Sequence, residues 1–159
     1  VVWGGSLIVT GYLMGTLYEH KNQQINELRE TYSGVLLILR HFISKDNYTE
    51  NHCYRVSVYA TRIAAQLNLP TDRIEDVRAA ALLHDIGKLG IPDRLLNKPG
   101  PLTADEFDQV KDHVTIGADM LRAVAVPAAL TLIVRHHHEN WDGSGYPDGL
   151  AGEQIPVLV

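Results

Sequence analysis

The sequence predicts an all-α protein, and three observations carry that prediction. Apolar residues recur at spacings of 3 and 4 through Ile25, Leu28, Tyr32, Val35, Leu39 and Phe42. Cap and stop signals then punctuate the rest of the chain at helical lengths. No stretch alternates apolar and polar residues long enough to make a convincing strand.

Taken in order, residues 1–18, VVWGGSLIVTGYLMGTLY, carry no charged side chain. That length lies at the lower edge of the roughly 17–25 residues that span a bilayer. Trp3, Tyr12 and Tyr18 suit interfacial positions, and the four glycines argue against a soluble helix. We expect the end of a transmembrane helix here. An apolar core helix and the remnant of a signal peptide are the alternatives.

Residues 19–44 read as a linker helix whose seam has the spacing of a short coiled coil. Leu36, Leu37 and Ile38 widen the stripe enough for packing on its own domain instead. The dimer reading expects pairing of two copies through residues 25–42.

From Asp46 onward four helices are expected. Thr49 caps one through Leu67, with Val56, Ala60, Ile63 and Leu67 inward. Thr71 caps another through Lys88, with Ile74, Val77, Ala81 and His84 on one face, until Gly87, Gly90 and Pro92 stop it. Thr103–Glu106, TADE, is a capping box opening a third through Leu121, lined by Phe107, Val110, Val114 and Leu121. Pro127 starts a fourth that runs to the triplet His136–His138.

The 159 residues suffice for one sizeable core. A net charge of −5 leaves no basic footprint for a nucleic-acid polymer. The lone Cys53 excludes an intramolecular disulfide. The chain starts on Val rather than Met, and a fragment or processed form is expected.

His52, His84 and His113 fall on or beside the apolar faces of three helices, and a fourth helix ends in the triplet. One such histidine is ordinarily a hydrogen-bonded core residue; four elements repeating the pattern point to a shared site. Adjacent His84-Asp85 cannot chelate one ion as an i,i+4 pair does, but the two can straddle a two-metal site. Imidazole with carboxylate suits iron, manganese or zinc, and paired ions suit displacement at phosphorus. Lys88, one turn on, is placed to meet a phosphate.

The segment LLHDIGKLGIPDRLLNKPG, with YTENHCYRV, LTADEFDQVKDHVTIG and HHENWDGSGYPDGLAGEQIP, resembles the HD-GYP subgroup of the HD metal-dependent phosphohydrolases. The likeness covers about residues 45–159, with the motifs in the family's order. It implies an HD-type helical bundle, incomplete here, that hydrolyses the bacterial second messenger cyclic di-GMP to pGpG or GMP through metal-bound water. It implies two divalent ions, iron or manganese foremost, with zinc, nickel and magnesium compatible. Carried over by motif, His52, His84, Asp85, His113, His137 and His138 are the metal ligands. Asp85 bridges the ions and Lys88 contacts the scissile phosphate, so Asp85 and Lys88 carry the catalysis. His136 becomes a bystander.

Where three-metal members place a glutamate, this chain has Tyr48, so two ions are expected rather than three. The family continues past the position of Val159 into a helix with a further ligand aspartate, so residues 45–159 are expected to hold the N-terminal part of the domain and to hydrolyse weakly or not at all. In the loop, Gly143 and Gly145 permit positive φ, Pro147 fixes the chain, and Asp142-Gly143 is a turn dipeptide. Trp141 or Tyr146 can stack on a guanine, or Tyr146 can pack under a structural turn. The resemblance also implies binding of diguanylate cyclase domains, and expects the inner membrane of a bacterium with the HD-GYP part cytoplasmic. Two other readings stay open: a signalling module acting by contact alone, and a hydrolase of another cyclic dinucleotide or nucleotide.

Overall fold

The computed structural model describes the backbone of residues 2–43, 47–124 and 126–159, and the side chains at 9–28, 30–32, 34, 35, 52–124 and 126–159. Its helices are α1 (Val2–Ile43), α2 (Asn47–Gln66), α3 (Thr71–Leu83), α4 (Asp93–Leu96), α5 (Ala104–Lys111), α6 (His113–Ala123) and α7 (Ala128–His136). Two 3₁₀ turns, Ile86–Gly90 and Gly152–Gln154, complete the set. The expected all-α class holds: the described residues form isolated bridges, His138–Tyr146 and Asp142–Ala151, but no strand.

The chain divides into two compact units, Val1–Val35 and Leu36–Val159. In the first, α1 runs without a break through the boundary expected at residue 18. Among the described residues no helix is long and apolar enough to cross a membrane, so the membrane-helix end expected at residues 1–18 has no support. Its four glycines dilute the apolar run, and charges begin at Glu19. The seam residues Ile25, Leu28, Tyr32 and Val35 are all exposed. Leu39, Phe42, Tyr48, Thr49 and Glu50 lie outside the described side chains.

The second unit packs around α3. Its run Ala79-Ala80-Ala81-Leu82-Leu83 is buried throughout, and the small side chains let α2 and α7 close in on it. The core joins Ala64 of α2, Val77, Leu82 and Leu83 of α3, Leu121 of α6, and Leu130, Ile133 and Val134 of α7.

Several elements differ from expectation. The inward face of α2 is Cys53, Ser57 and Ala64, whereas Ile63 and Leu67 are exposed. Opposite an alanine-rich partner, small side chains fit where large ones do not. The helix capped near Thr71 ends at Leu83 instead of Lys88, with Pro70 at its N-cap and no side-chain cap. Past His84 the chain tightens to a 3₁₀ turn, Lys88 N–H donating to the Asp85 carbonyl at 3.0 Å. The helix expected from Thr103 through Leu121 is two, α5 and α6, broken at Asp112. Phe107 is exposed under the Lys111 ammonium, 4.9 Å from the ring centre, while Val114 and Leu121 are buried. The capping box forms as expected: Thr103 N–H donates to Glu106 at 2.8 Å, and Glu106 N–H donates to Thr103 Oγ1 at 3.3 Å.

Candidate metal centre

Each departure from a regular helix delivers a donor. The end of α3 releases His84 and Asp85, the break at Asp112 makes His113 the first residue of α6, and the end of α7 releases His137 and His138. Gly87 and Gly117 let the 3₁₀ turn press against α6. A Cβ on Gly87 would run into the His113 carbonyl and reach 2.6 Å from the Gly117 nitrogen. That close approach seats Asp85 beside His113.

The rings form a continuous cluster. His52 and His84 have centroids 5.8 Å apart, His84 and His137 5.0 Å, His113 and His137 5.4 Å, His113 and His138 5.2 Å, and His137 and His138 4.2 Å. All five expected histidine ligands therefore meet. Buried Asp85 stands among them, Oδ2 3.3 Å from His84 Nε2 and Oδ1 3.6 Å from His113 Nε2. Lys88 Nζ donates to Asp85 Oδ2 at 2.8 Å.

Three rings are held the same way. Nδ1 lies 2.9 Å from the Ala81 carbonyl in His84, 2.7 Å from Val110 in His113, and 2.8 Å from Val134 in His137. A carbonyl only accepts, so Nδ1 carries the proton, a tautomer assigned from its partner. In a neutral ring Nε2 then presents a lone pair. The Nε2 atoms of His113 and His137 are buried with no hydrogen-bond partner among the described residues. Such an orphan is costly unless something else takes the lone pair. A divalent ion does, and this backbone-oriented imidazole is how metal-ligating histidines are held. The donors fit a metal.

Burial, followed by the neighbouring charge of His84, pushes His137 down to about 3, and burial also lowers His113 and His138. These rings stay neutral and available as ligands. Burial opposes ionisation of Asp85, but the hydrogen bond and charge of His84 and the Lys88 ammonium outweigh it. They hold the carboxyl well below its ordinary range. Burial lowers His84 as well, yet the hydrogen bond to Asp85 carries it above its ordinary value.

Among the described residues, ligand-capable atoms gather in two groups, His113–His137–His138 and Cys53–His84–Asp85, each within 4.8 Å. His136 is separate. Its Nδ1 lies 3.0 Å from the Leu132 carbonyl and its Nε2 2.8 Å from Asp148, so both nitrogens are occupied within the fold.

The loop after the triplet is braced by residues whose role their spacing did not reveal. Glu139 accepts from the backbone N–H groups of Asp148, Gly149 and Leu150 at 2.8, 3.1 and 2.9 Å. Arg135 grips Asp148 with two bonds, 3.0 and 2.7 Å. Asp142 accepts from the Ser144 N–H at 3.0 Å and hydroxyl at 2.6 Å, closing a turn. Gly143 has φ 78° as expected, but Gly145 is needed for space: a Cβ there would strike the backbone of residues 138–140. Tyr146, joined to exposed Pro147 by a cis peptide bond, stacks on His138 at 4.7 Å. Trp141 is 73 % exposed, so the structure brings Tyr146 to the cluster and leaves Trp141 on the surface.

Residues 18–158 match the HD domain family. The chain belongs to the HD domain family. Its metal dependence agrees with the donors assembled here. A cyclic di-GMP phosphodiesterase of Pseudomonas aeruginosa is 41 % identical over 88 % of this chain and 35 % of its own length. One from Thermotoga maritima is 46 % identical over 71 % of this chain and 31 % of its own. A 3'3'-cGAMP-specific phosphodiesterase of Vibrio cholerae is 36 % identical over 92 % of this chain and 28 % of its own. The chain thus spans about a third of the length of the curated relatives it matches.

Proposed function

We propose that this chain carries the metal-binding part of a phosphodiesterase that hydrolyses a cyclic dinucleotide, cyclic di-GMP foremost. The observation that carries this reading is the convergence of His84 and His113 on Asp85 within a cluster of imidazoles, the Nε2 atoms of His113 and His137 being buried without a hydrogen-bond partner among the described residues. The names of the Pseudomonas and Thermotoga relatives supply the substrate.

In this reading His52, His84, Asp85, His113, His137 and His138 would hold two divalent ions, iron or manganese foremost, with zinc compatible. Such ions acidify water and neutralise phosphoryl oxygens. Asp85 belongs to one donor group and stands 3.6 Å from His113 of the other, so its carboxylate would serve both. Lys88 swings from Asp85 to the phosphate, where its ammonium meets developing charge. The Ala81, Val110 and Val134 carbonyls fix the imidazole orientations. Tyr146, over His138, forms one wall of the approach. The exposed seam of α1 supports pairing of two copies.

The Vibrio relative, aligned over most of the chain, favours 3'3'-cGAMP as a second substrate. Chromatographic assay of both dinucleotides with the full-length protein separates the two. Hydrolysis of cyclic di-GMP that vanishes in His84→Ala and Asp85→Ala is expected; full activity in either variant refutes the mechanism.

A further inference from the structure

Cys53 is the chain's single cysteine, 1 % exposed on the inner face of α2. Its Sγ, a ring nitrogen of His84 and a carboxylate oxygen of Asp85 lie within 4.8 Å of one another. The adjacent His52, the histidine expected from this helix, is not in that group. A second observation points to a ligand beside the same carboxylate. His113 Nε2, in a side chain 2 % exposed and without a hydrogen-bond partner among the described residues, stands 3.6 Å from Asp85 Oδ1. Asp85 thus has the unsatisfied His113 imidazole beside Oδ1 and the His84 imidazole 3.3 Å from Oδ2, with the Cys53 thiol in the same group.

We propose that Cys53 supplies a sulfur ligand to the ion held at His84 and Asp85, so that this subsite is thiophilic while the His113–His137–His138 subsite has no sulfur donor. The proposal rests on the metal-centre reading above and adds to it a residue and a metal preference. The ligating form is the thiolate, so the thiol proton leaves for solvent as the ion enters, with no change of oxidation state. Bonds of about 2.3 Å to sulfur and about 2.1 Å to nitrogen set the donors of one tetrahedral ion roughly 3.6 Å apart. Closing the cluster therefore takes a movement of about an ångström. Sulfur shifts the preference of this subsite toward zinc, cobalt or cadmium and away from magnesium and manganese.

The test is titration of the metal-free 159-residue chain with cobalt(II), followed by absorption spectroscopy. A near-ultraviolet thiolate-to-cobalt charge-transfer band is expected. With one cysteine in the chain, that band has a single source. Cys53→Ser removes it while the visible ligand-field bands persist, and weakens cadmium binding by roughly tenfold or more and manganese binding by less. Ligand-field bands without charge transfer in the unsubstituted chain overturn the proposal, as does undiminished cadmium affinity in Cys53→Ser. If the variant fails to fold, the unsubstituted spectrum decides alone. A chain that binds no cobalt overturns the metal centre itself and this proposal with it.

Discussion

Lys88 Nζ lies 2.8 Å from Asp85 Oδ2, an ion pair made across one 3₁₀ turn with the carboxylate buried and the ammonium partly in solvent. Because the chain tightens after Leu83, residues three apart align and the lysine reaches the carboxylate directly. The pair neutralises a buried charge that would otherwise be costly. It also keeps a mobile cation within reach of whatever binds beside Asp85.

Lys88→Met separates these roles. In the full-length protein, turnover of cyclic di-GMP should fall by roughly 10²-fold, the scale of losing one charge-stabilising donor. Metal content should stay unchanged, because the ligands remain. Steady-state kinetics alongside metal analysis checks this; unaltered turnover would remove Lys88 from the mechanism.

Gly87→Ala should disturb the centre without touching a donor. The added Cβ meets the His113 carbonyl and the Gly117 nitrogen, both backbone and unable to swing aside. Overpacking of this kind costs about 1–3 kcal/mol, readable as a lower urea midpoint. Metal affinity should fall too, since relief of the clash moves His113. A variant as stable as its parent would mean the turn and α6 are not in close contact.

Asp148 sets a pH dependence for the loop. Hydrogen bonds from Arg135 and His136 hold its carboxyl down at about 2, below its ordinary 3.8. The unfolded state therefore takes up the proton first, and stability falls as pH falls. The contribution is complete above pH 3.8 and disappears as pH drops through about 2. The unfolding free-energy difference between the chain and Asp148→Asn should be constant at higher pH and shrink across that window. With the carboxylate 38 % exposed, the difference is small. A difference that grows on acidification would contradict the assignment.

The helical class and the capping box at Thr103 were legible in the spacing of residues, whereas the set His52, His84, Asp85, His113, His137 and His138 was implied by the motif resemblance, and the fold brings those side chains together. Short-range spacing records which residues share a helix face and which cap an end. The inner face of α2 was not legible, because Cys53, Ser57 and Ala64 look less apolar than Ile63 and Leu67, and only the alanine surface of α3 decides between them. Nor was the turn at Asp85: the same glycines that signal a helix stop also permit the approach of α6, a tertiary fact. Glu139 and Arg135 brace a loop 9 to 13 residues away, a separation with no periodic signature.

The central claim is that Asp85 organises a centre of two metal ions. Metal analysis of anaerobically purified chain, with and without Asp85→Ala, tests it most directly. The account predicts about two ions per chain, with less than one retained in the variant. Three ions in the unsubstituted chain, or an undiminished content in Asp85→Ala, would contradict it.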